Sequence, residues 1–154
     1  MPARTPAPRP TVLLTGFDPF NGAQLNPSWL AVQALHGRQV LGHRLVAAQL
    51  PTVFGASLKA LDALLAEHRP ALVICVGQAG GRSALSLERV AINVDDAPIP
   101  DNAGAQPIDA PVAPGAPGAP AAPSLPSSPS QPARPIVAAS ASNAINGPTK
   151  AVGQ

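Results

Sequence analysis

Tyrosine is missing from this 154-residue chain, cysteine, tryptophan and methionine occur once each, and there are only three phenylalanines. A single cysteine excludes an internal disulfide framework and a cysteine-rich zinc site. No apolar run reaches the roughly 18 residues that a membrane helix needs. Charge is scarce as well. Charged residues make up 12% of the chain, about half the usual share. The net charge of +2 is diffuse, with no Lys/Arg cluster to grip a phosphate backbone, so neither a nucleic acid nor a membrane is expected as a partner. Met1 to Pro10 carries Arg4, Arg9 and four prolines but no apolar stretch, which is not the pattern of a secretory signal. A soluble protein of the reducing cytoplasm, with no metal and no cofactor, is the expectation.

What is abundant is proline, with 21 residues, beside 13 glycines. Their distribution breaks the chain into unlike parts. All eight acidic residues lie at or before Asp109, and from Ala110 onward only Arg134 and Lys150 are charged. Prolines stand at 111, 114, 117, 120, 123, 126, 129, 132 and 135, a strict period of three, with mostly Ala, Gly and Ser between them. Such a stretch buries little side-chain area and lacks backbone donors. A disordered tail over 113–154 with polyproline II bias is expected. Collagen would need glycine at every third position, and only Gly115 and Gly118 keep that step. Residues 1–10 read as a disordered extension, and 11–112 as the folded part.

Within 11–112 the apolar pattern alternates between strand and helix. Thr11 to Phe17 is a short apolar run ended by Asp18-Pro19, a buried strand and its turn. Pro27-Ser28 opens a short helix over Trp29 to His36. Arg44 to Pro51 is a second strand. Val53 to His68 is the clearest helix: Phe54, Leu58, Leu61, Leu64 and Leu65 share one stripe, Lys59, Asp62 and Glu67 face away, and Pro70 stops it. Ala71 to Val76 is a fully apolar strand, and Leu87 to Val94 alternates loosely as a fourth. Strands alternating with helices predict an α/β fold, with a mostly parallel sheet covered on both faces. Two helices are few for that task, so the sandwich is expected to be incomplete.

The segment after the apolar strand, Gly77-Gln78-Ala79-Gly80-Gly81, sits where open α/β sheets bind ligands, at the carboxyl end of a parallel strand. A tight strand-to-loop turn is the plainer reading of the same residues. Neither a dinucleotide fingerprint nor a phosphate-binding Walker loop is present. Glu88 interrupts an otherwise apolar strand, and is either surface-facing or buried and paired. Phe17 and Phe20, two of the three phenylalanines, flank one short loop. They either wall an apolar ligand site or pack beneath the loop.

Several of these segments together resemble the pyroglutamyl-peptidase I family of cysteine peptidases. Leu14 to Phe20 (LTGFDPF), Asn26-Pro27-Ser28, Gln49 to Phe54 (QLPTVF), the VGQAGGR and SLERVAIN segments, Ile99 to Asn102 and Gln106 to Asp109 follow the family's order. The resemblance covers roughly 11–112, about the first half of a family member. It implies a three-layer α/β/α sandwich, hydrolysis of an N-terminal pyroglutamyl residue from peptides by a Cys–His–Glu arrangement, and a possible homo-oligomer. Glu88 matches the carboxylate that orients the imidazole. Phe17 and Phe20 match the aromatic wall of the lactam site, and Gln78 a residue on its polar side.

The departures are equally specific. The family's nucleophilic Cys and its His fall in its second half, which nothing after 112 resembles. Cys75 stands inside the apolar strand and reads as a buried small hydrophobe. His36, His43 and His68 match nothing catalytic, and Pro98 stands where the resemblance leads one to expect Arg. The chain is therefore expected to be truncated or frame-shifted and inactive as it stands. Read one base earlier, the codons allowed for Ala122 to Ser127 permit A-F-A/S-T-L, close to the family's A-Y-F-A-T-L. A non-catalytic binding protein with a PxxP tail is the alternative. An unrelated α/β enzyme using the glycine loop for an anion is a third reading.

Overall fold

The computed structural model describes residues 9–80, 84–88, 90–116 and, as backbone, 136–141. Eight elements follow in chain order: β1 (Thr11–Phe17), α1 (Pro27–Gln33), β2 (Gln39–Val40), β3 (His43–Leu50), α2 (Ala56–His68), β4 (Leu72–Gln78), β5 (Ser86–Glu88) and β6 (Ile136–Ala141). They form one sheet in the order β2-β3-β1-β4-β6-β5. The pairs β1–β3, β1–β4 and β4–β6 are parallel, and the short flanking strands β2 and β5 are antiparallel to their neighbours.

Strand alternation divides the core into two layers. Val12, Leu14, Leu45 and, from α1, Val32 are buried on one face, with Trp29, Leu72, Ile74 and Val76 packed against them. Leu13, Val46 and Val73 are buried on the other, under Leu61, Leu64 and Leu65 of α2. One helix per face gives the expected three layers and a mostly parallel sheet. The cover is thin, since no residue of α2 is fully buried. The predicted stripe on that helix divides in function. Its carboxyl half packs on the sheet, while Phe54 and Leu58 at the other end remain 37% and 44% exposed. Arg69 ends the helix in a left-handed conformation at φ 43° ahead of Pro70.

The helices are shifted from their expected bounds, α1 ending at Gln33 and α2 beginning at Ala56 after Phe54, and β2 was not expected. Two further elements differ from the sequence expectation. The strand expected over Leu87 to Val94 is confined to β5. Beyond it Asn93 turns away, donating through Nδ2 to the Ala113 carbonyl at 2.8 Å and accepting the Ala113 amide at 2.7 Å. These bonds carry ordered contacts past residue 112. The second difference is β6, which stands inside the stretch expected to lack fixed structure. It runs parallel to β4 with Ala138 opposite Cys75, and antiparallel to β5 with Ala138 opposite Glu88. The cause is local composition. The period of three prolines ends at Pro135, and Ile136 to Ala141 is proline-free with two β-branched residues, so its amides can join a ladder on both sides. At the edges of the two segments expected to be disordered, the Pro10 carbonyl accepts the Arg44 amide at 3.0 Å and the Ala113 carbonyl accepts the Ala116 amide at 3.2 Å. Residues 1–8, 117–135 and 142–154, which carried the rest of that expectation, lie outside the described residues, as do Gly81, Arg82 and Ser83 of the glycine segment.

Candidate functional site

Three loops meet at the carboxyl ends of β1 and β3, and hydrogen bonds fix how they meet. Asp18, just after β1, donates its amide to the Leu50 carbonyl at 2.9 Å. Its Oδ1 accepts the Thr52 amide at 2.6 Å, and its carbonyl accepts the Thr52 hydroxyl at 3.1 Å. The loop after β1 is thereby held to the loop after β3. The third loop, over residues 95–110, joins through Asn102. Its amide donates to the Thr52 carbonyl at 3.0 Å, and its Nδ2 donates to the Pro19 carbonyl at 2.8 Å. Behind these loops, the buried Ser28 hydroxyl accepts the Phe17 amide at 3.0 Å and donates to Asn26 Oδ1 at 2.7 Å. Asn26 returns to the first loop by donating from Nδ2 to the Asp18 carbonyl at 2.9 Å.

The loops and the start of α2 border a half-open cavity of about 210 Å³. Phe17, Val53, Phe54, Leu58 and Val112 supply apolar walls, with Thr52, Ser57, Asp95 and Asp101 between them. Asp101 is committed to structure. Its Oδ2 accepts the Phe54 amide at 2.7 Å, and its Oδ1 accepts the amides of Ala103 and Ala105, each at 2.8 Å. These donors, the Phe54 amide above all, hold the carboxyl below its usual value of 3.8. A group with a depressed folded pKa binds fewer protons than in the unfolded chain, so its contribution is present above the usual value and lost as pH falls through the lowered one. In Asp101→Asn, the amides of Phe54, Ala103 and Ala105 should exchange faster with deuterium. The fall in stability of the native chain as pH drops below about 4 should also become shallower in the variant. Unchanged exchange at Phe54 would show that the carboxylate does not hold this turn.

The four residues singled out from sequence are not gathered in one place. Phe17 lines the cavity. Phe20 is half-buried on the same loop but is not among the lining residues. Gln78 ends β4. By strand alternation it follows Val76 onto the α1 face, whereas Phe17 follows Leu13 onto the α2 face. Glu88 is exposed on β5, the terminal strand. Three strand spacings separate β5 from β1, about 14 Å. Through Ala138, Glu88 shares a register row with Cys75 and Thr15, two residues short of Phe17. Cys75 itself is only half-buried, against the cluster of Leu13, Val46 and Val73, where the sequence led one to expect full burial.

His43 and His68 stand at the amino-end edge of the sheet, and His36 beside the middle of β3. His36 follows α1, His43 opens β3 and His68 closes α2. Their ring contacts are local: His36 Nδ1 accepts the Ala47 amide at 3.1 Å, and His68 Nε2 lies 3.7 Å from Glu67. The length of β3 puts His43 on the order of 20 Å from its carboxyl end, and His36, level with Ala47, about 10 Å from it. Among the described residues no group of three His, Cys, Asp or Glu side chains could hold a metal, and no helix is long and apolar enough to cross a membrane. Sequence reasoning missed Phe54, Asp95 and Val112 as cavity walls. The QLPTVF segment was the one signal that pointed toward Phe54.

Loops at the carboxyl ends of a mostly parallel sheet, bordering an aromatic-walled cleft, define an α/β protein with a cleft at the edge where such sheets place their ligands. A model of the pyroglutamyl peptidase family matches residues 10–127, and the chain belongs to that family. It is 64% identical over 103 residues to a pyrrolidone-carboxylate peptidase of Cupriavidus taiwanensis, covering 67% of this chain and 48% of the relative. A pyrrolidone-carboxylate peptidase 1 of Ralstonia nicotianae is 60% identical over the same length. Among solved structures, pyroglutamyl peptidase I of Bacillus amyloliquefaciens superposes with a TM-score of 0.69 at 50% identity, over 71% of this chain and 53% of that one. A pyrrolidone carboxyl peptidase of Pyrococcus furiosus gives 0.68 at 44% identity. The chain spans about half the length of the relatives it matches.

Proposed function

We propose that this chain is the pyroglutamyl-recognising half of a pyroglutamyl peptidase, able to bind the lactam and unable by itself to hydrolyse the bond beside it. The observation that carries the reading is the Phe17 cavity, formed at the ligand-binding edge of the sheet by segments that lie inside the family match. A pyroglutamyl group is a small flat lactam without an ammonium charge. Flat aromatic walls with a few hydrogen bonds suit it, and Phe17 and Phe54 with Thr52 and Ser57 offer both. The family resemblance also offers Phe20 and Gln78, but Phe20 does not line this cavity and Gln78 ends β4 on the other face of the sheet, so neither is given a contact with the lactam. Glu88 is the carboxylate that would orient an imidazole.

Hydrolysis by a cysteine peptidase needs a thiolate beside an imidazole. The single cysteine of this chain, Cys75, packs against Leu13, Val46 and Val73, and neither it nor any of the three histidines lines the cavity. Geometry therefore favours binding without turnover for this chain alone. Titration of the full chain with pyroglutamate should give saturable binding, weakened about tenfold in Phe17→Ala. Proline, with a similar ring but a charged amine and no lactam carbonyl, should not compete. A fluorogenic pyroglutamyl amide should remain intact. Equal binding of proline and pyroglutamate, or no saturable binding of either, would sink the recognition reading. Turnover by the chain alone would sink the catalytic part.

A further inference from the structure

We infer that Asp95 is the residue that selects a lactam, its carboxylate accepting the ring N–H of a pyroglutamyl group held in the Phe17 cavity. The inference deepens the functional reading above and rests on it. Two carboxylates line the cavity, those of Asp95 and Asp101. Asp101 is occupied by the amides of Phe54, Ala103 and Ala105. The half-buried Asp95 carboxylate accepts no hydrogen bond from the described residues. What fixes Asp95 is its backbone. Its amide donates to the Ala110 carbonyl at 2.7 Å, and its carbonyl accepts the Ala110 amide at 3.0 Å. This is a closed, two-bond antiparallel pair. Further along, the amide of the buried Ala97 donates to the Pro107 carbonyl at 2.9 Å, and beyond Ala110 the chain places Val112 in the same wall. The side chain is thus carried on a fixed stretch of backbone while its oxygens are left for a ligand.

The chemistry of the acceptor says which ring it selects. A lactam offers one N–H and one carbonyl. An ionised carboxylate accepts hydrogen bonds and donates none. It meets the ring N–H in a charge-assisted bond and repels a ring oxygen in the same place. The Thr52 and Ser57 hydroxyls of the same cavity lack this selectivity, since a hydroxyl can turn either its proton or a lone pair toward a ligand. Thr52 already donates to the Asp18 carbonyl at 3.1 Å, which leaves Ser57, in the first turn of α2, to donate to the lactam carbonyl. The apolar walls, Phe17, Phe54, Leu58 and Val112, exclude water from the carboxylate once a ring has entered. A ring without an N–H then leaves a charged group dehydrated and unpaired, and such a ligand is rejected.

The test titrates the full chain with two neutral probes, pyroglutamamide and the corresponding lactone amide, which carries a ring oxygen in place of the N–H. The native chain should bind the lactam at least about tenfold more tightly than the lactone. Asp95→Asn should bring the two within about threefold, because a side-chain amide can accept from the lactam or donate to the lactone. The bonds between Asp95 and Ala110 join backbone atoms, so the urea midpoint of the variant should not move. The comparison of the two probes on the native chain needs no variant, and holds even where Asp95→Asn fails to fold. Equal affinities of the native chain for lactam and lactone would overturn the inference. So would a lactam preference that persists undiminished in Asp95→Asn. In both of those cases pyroglutamamide still binds, and the recognition reading stands without Asp95. Saturable binding of neither probe would overturn the two together.

Discussion

Gly16→Ala should cost the fold about 3 kcal/mol. A Cβ at this position would stand 2.6 Å from Trp29 Cα, 2.7 Å from its amide nitrogen and 2.8 Å from the Ser28 carbonyl carbon. These are backbone atoms of α1, so no side chain can swing aside to make room. Relief requires α1 to lift away from β1. That movement stretches the 3.0 Å bond from the Phe17 amide to the Ser28 hydroxyl and opens the layer of Val12, Leu14 and Val32. For a folded part of about this size, the loss corresponds to a fall of roughly 15 °C in Tm. Gly22→Ala is the control. Gly22 has φ 73°, but nothing lies within 4 Å of the place a Cβ would take, so only the left-handed backbone conformation is penalised, at about 1 kcal/mol. Equal urea midpoints for the two variants would show that helix and strand do not approach as closely as the structure has them.

The close approach at Gly16 also shows where sequence reading stops. β1, α2 and β4 were legible because each has a single dominant pattern: two short apolar runs and one 3.6-residue stripe. Asn26-Pro27-Ser28 announces a helix start, since proline is favoured in the first turn and asparagine caps it. What no local pattern encodes is that Ser28 turns back to the Phe17 amide, or that Asp101 gathers three amides from two segments. Backbone donors have no letter in the sequence. The cavity was half legible for the same reason. Phe17 stood out as a rare aromatic on a short loop, whereas Asp95 and Val112 reach the cavity only through tertiary packing. β6 was hidden by its surroundings. The long run of period-three proline made the whole tail read as one kind of chain, and the end of that period at Pro135 was the signal passed over. The shortening of β5 has the opposite cause. A loosely alternating run reads as a strand, yet at the end of a sheet only one side offers partners, and Asn93 finds better ones at Ala113.

Asn26→Ala should lose a similar amount, about 3 kcal/mol, by a different route. Asn26 is 3% exposed and caps α1, its Oδ1 accepting the Ser28 amide at 3.0 Å. Loss of the cap costs about 1 kcal/mol. The rest comes from groups left behind. The Ser28 hydroxyl, fully buried, loses its acceptor, and the Asp18 carbonyl loses the Asn26 Nδ2 donor, keeping the Thr52 hydroxyl. Stranded buried polar groups of this kind cost about 1–3 kcal/mol each when nothing replaces the partner. Ser28→Ala in the same background separates this explanation from a simple capping effect. With the Ser28 hydroxyl gone there is one stranded group fewer, so the double variant should be more stable than the sum of the single losses by about 1 kcal/mol. Strict additivity in urea unfolding would mean that the two side chains do not act through each other. The same pair bears on recognition. Phe17 owes its backbone position to Ser28, and Ser28 owes its rotamer to Asn26, so Asn26→Ala should weaken pyroglutamate binding even where the chain is still fully folded. Asn26→Ser restores a capping oxygen but cannot reach the Asp18 carbonyl. It should recover the helix cap and only part of the affinity, because the loop that carries Phe17 stays untied.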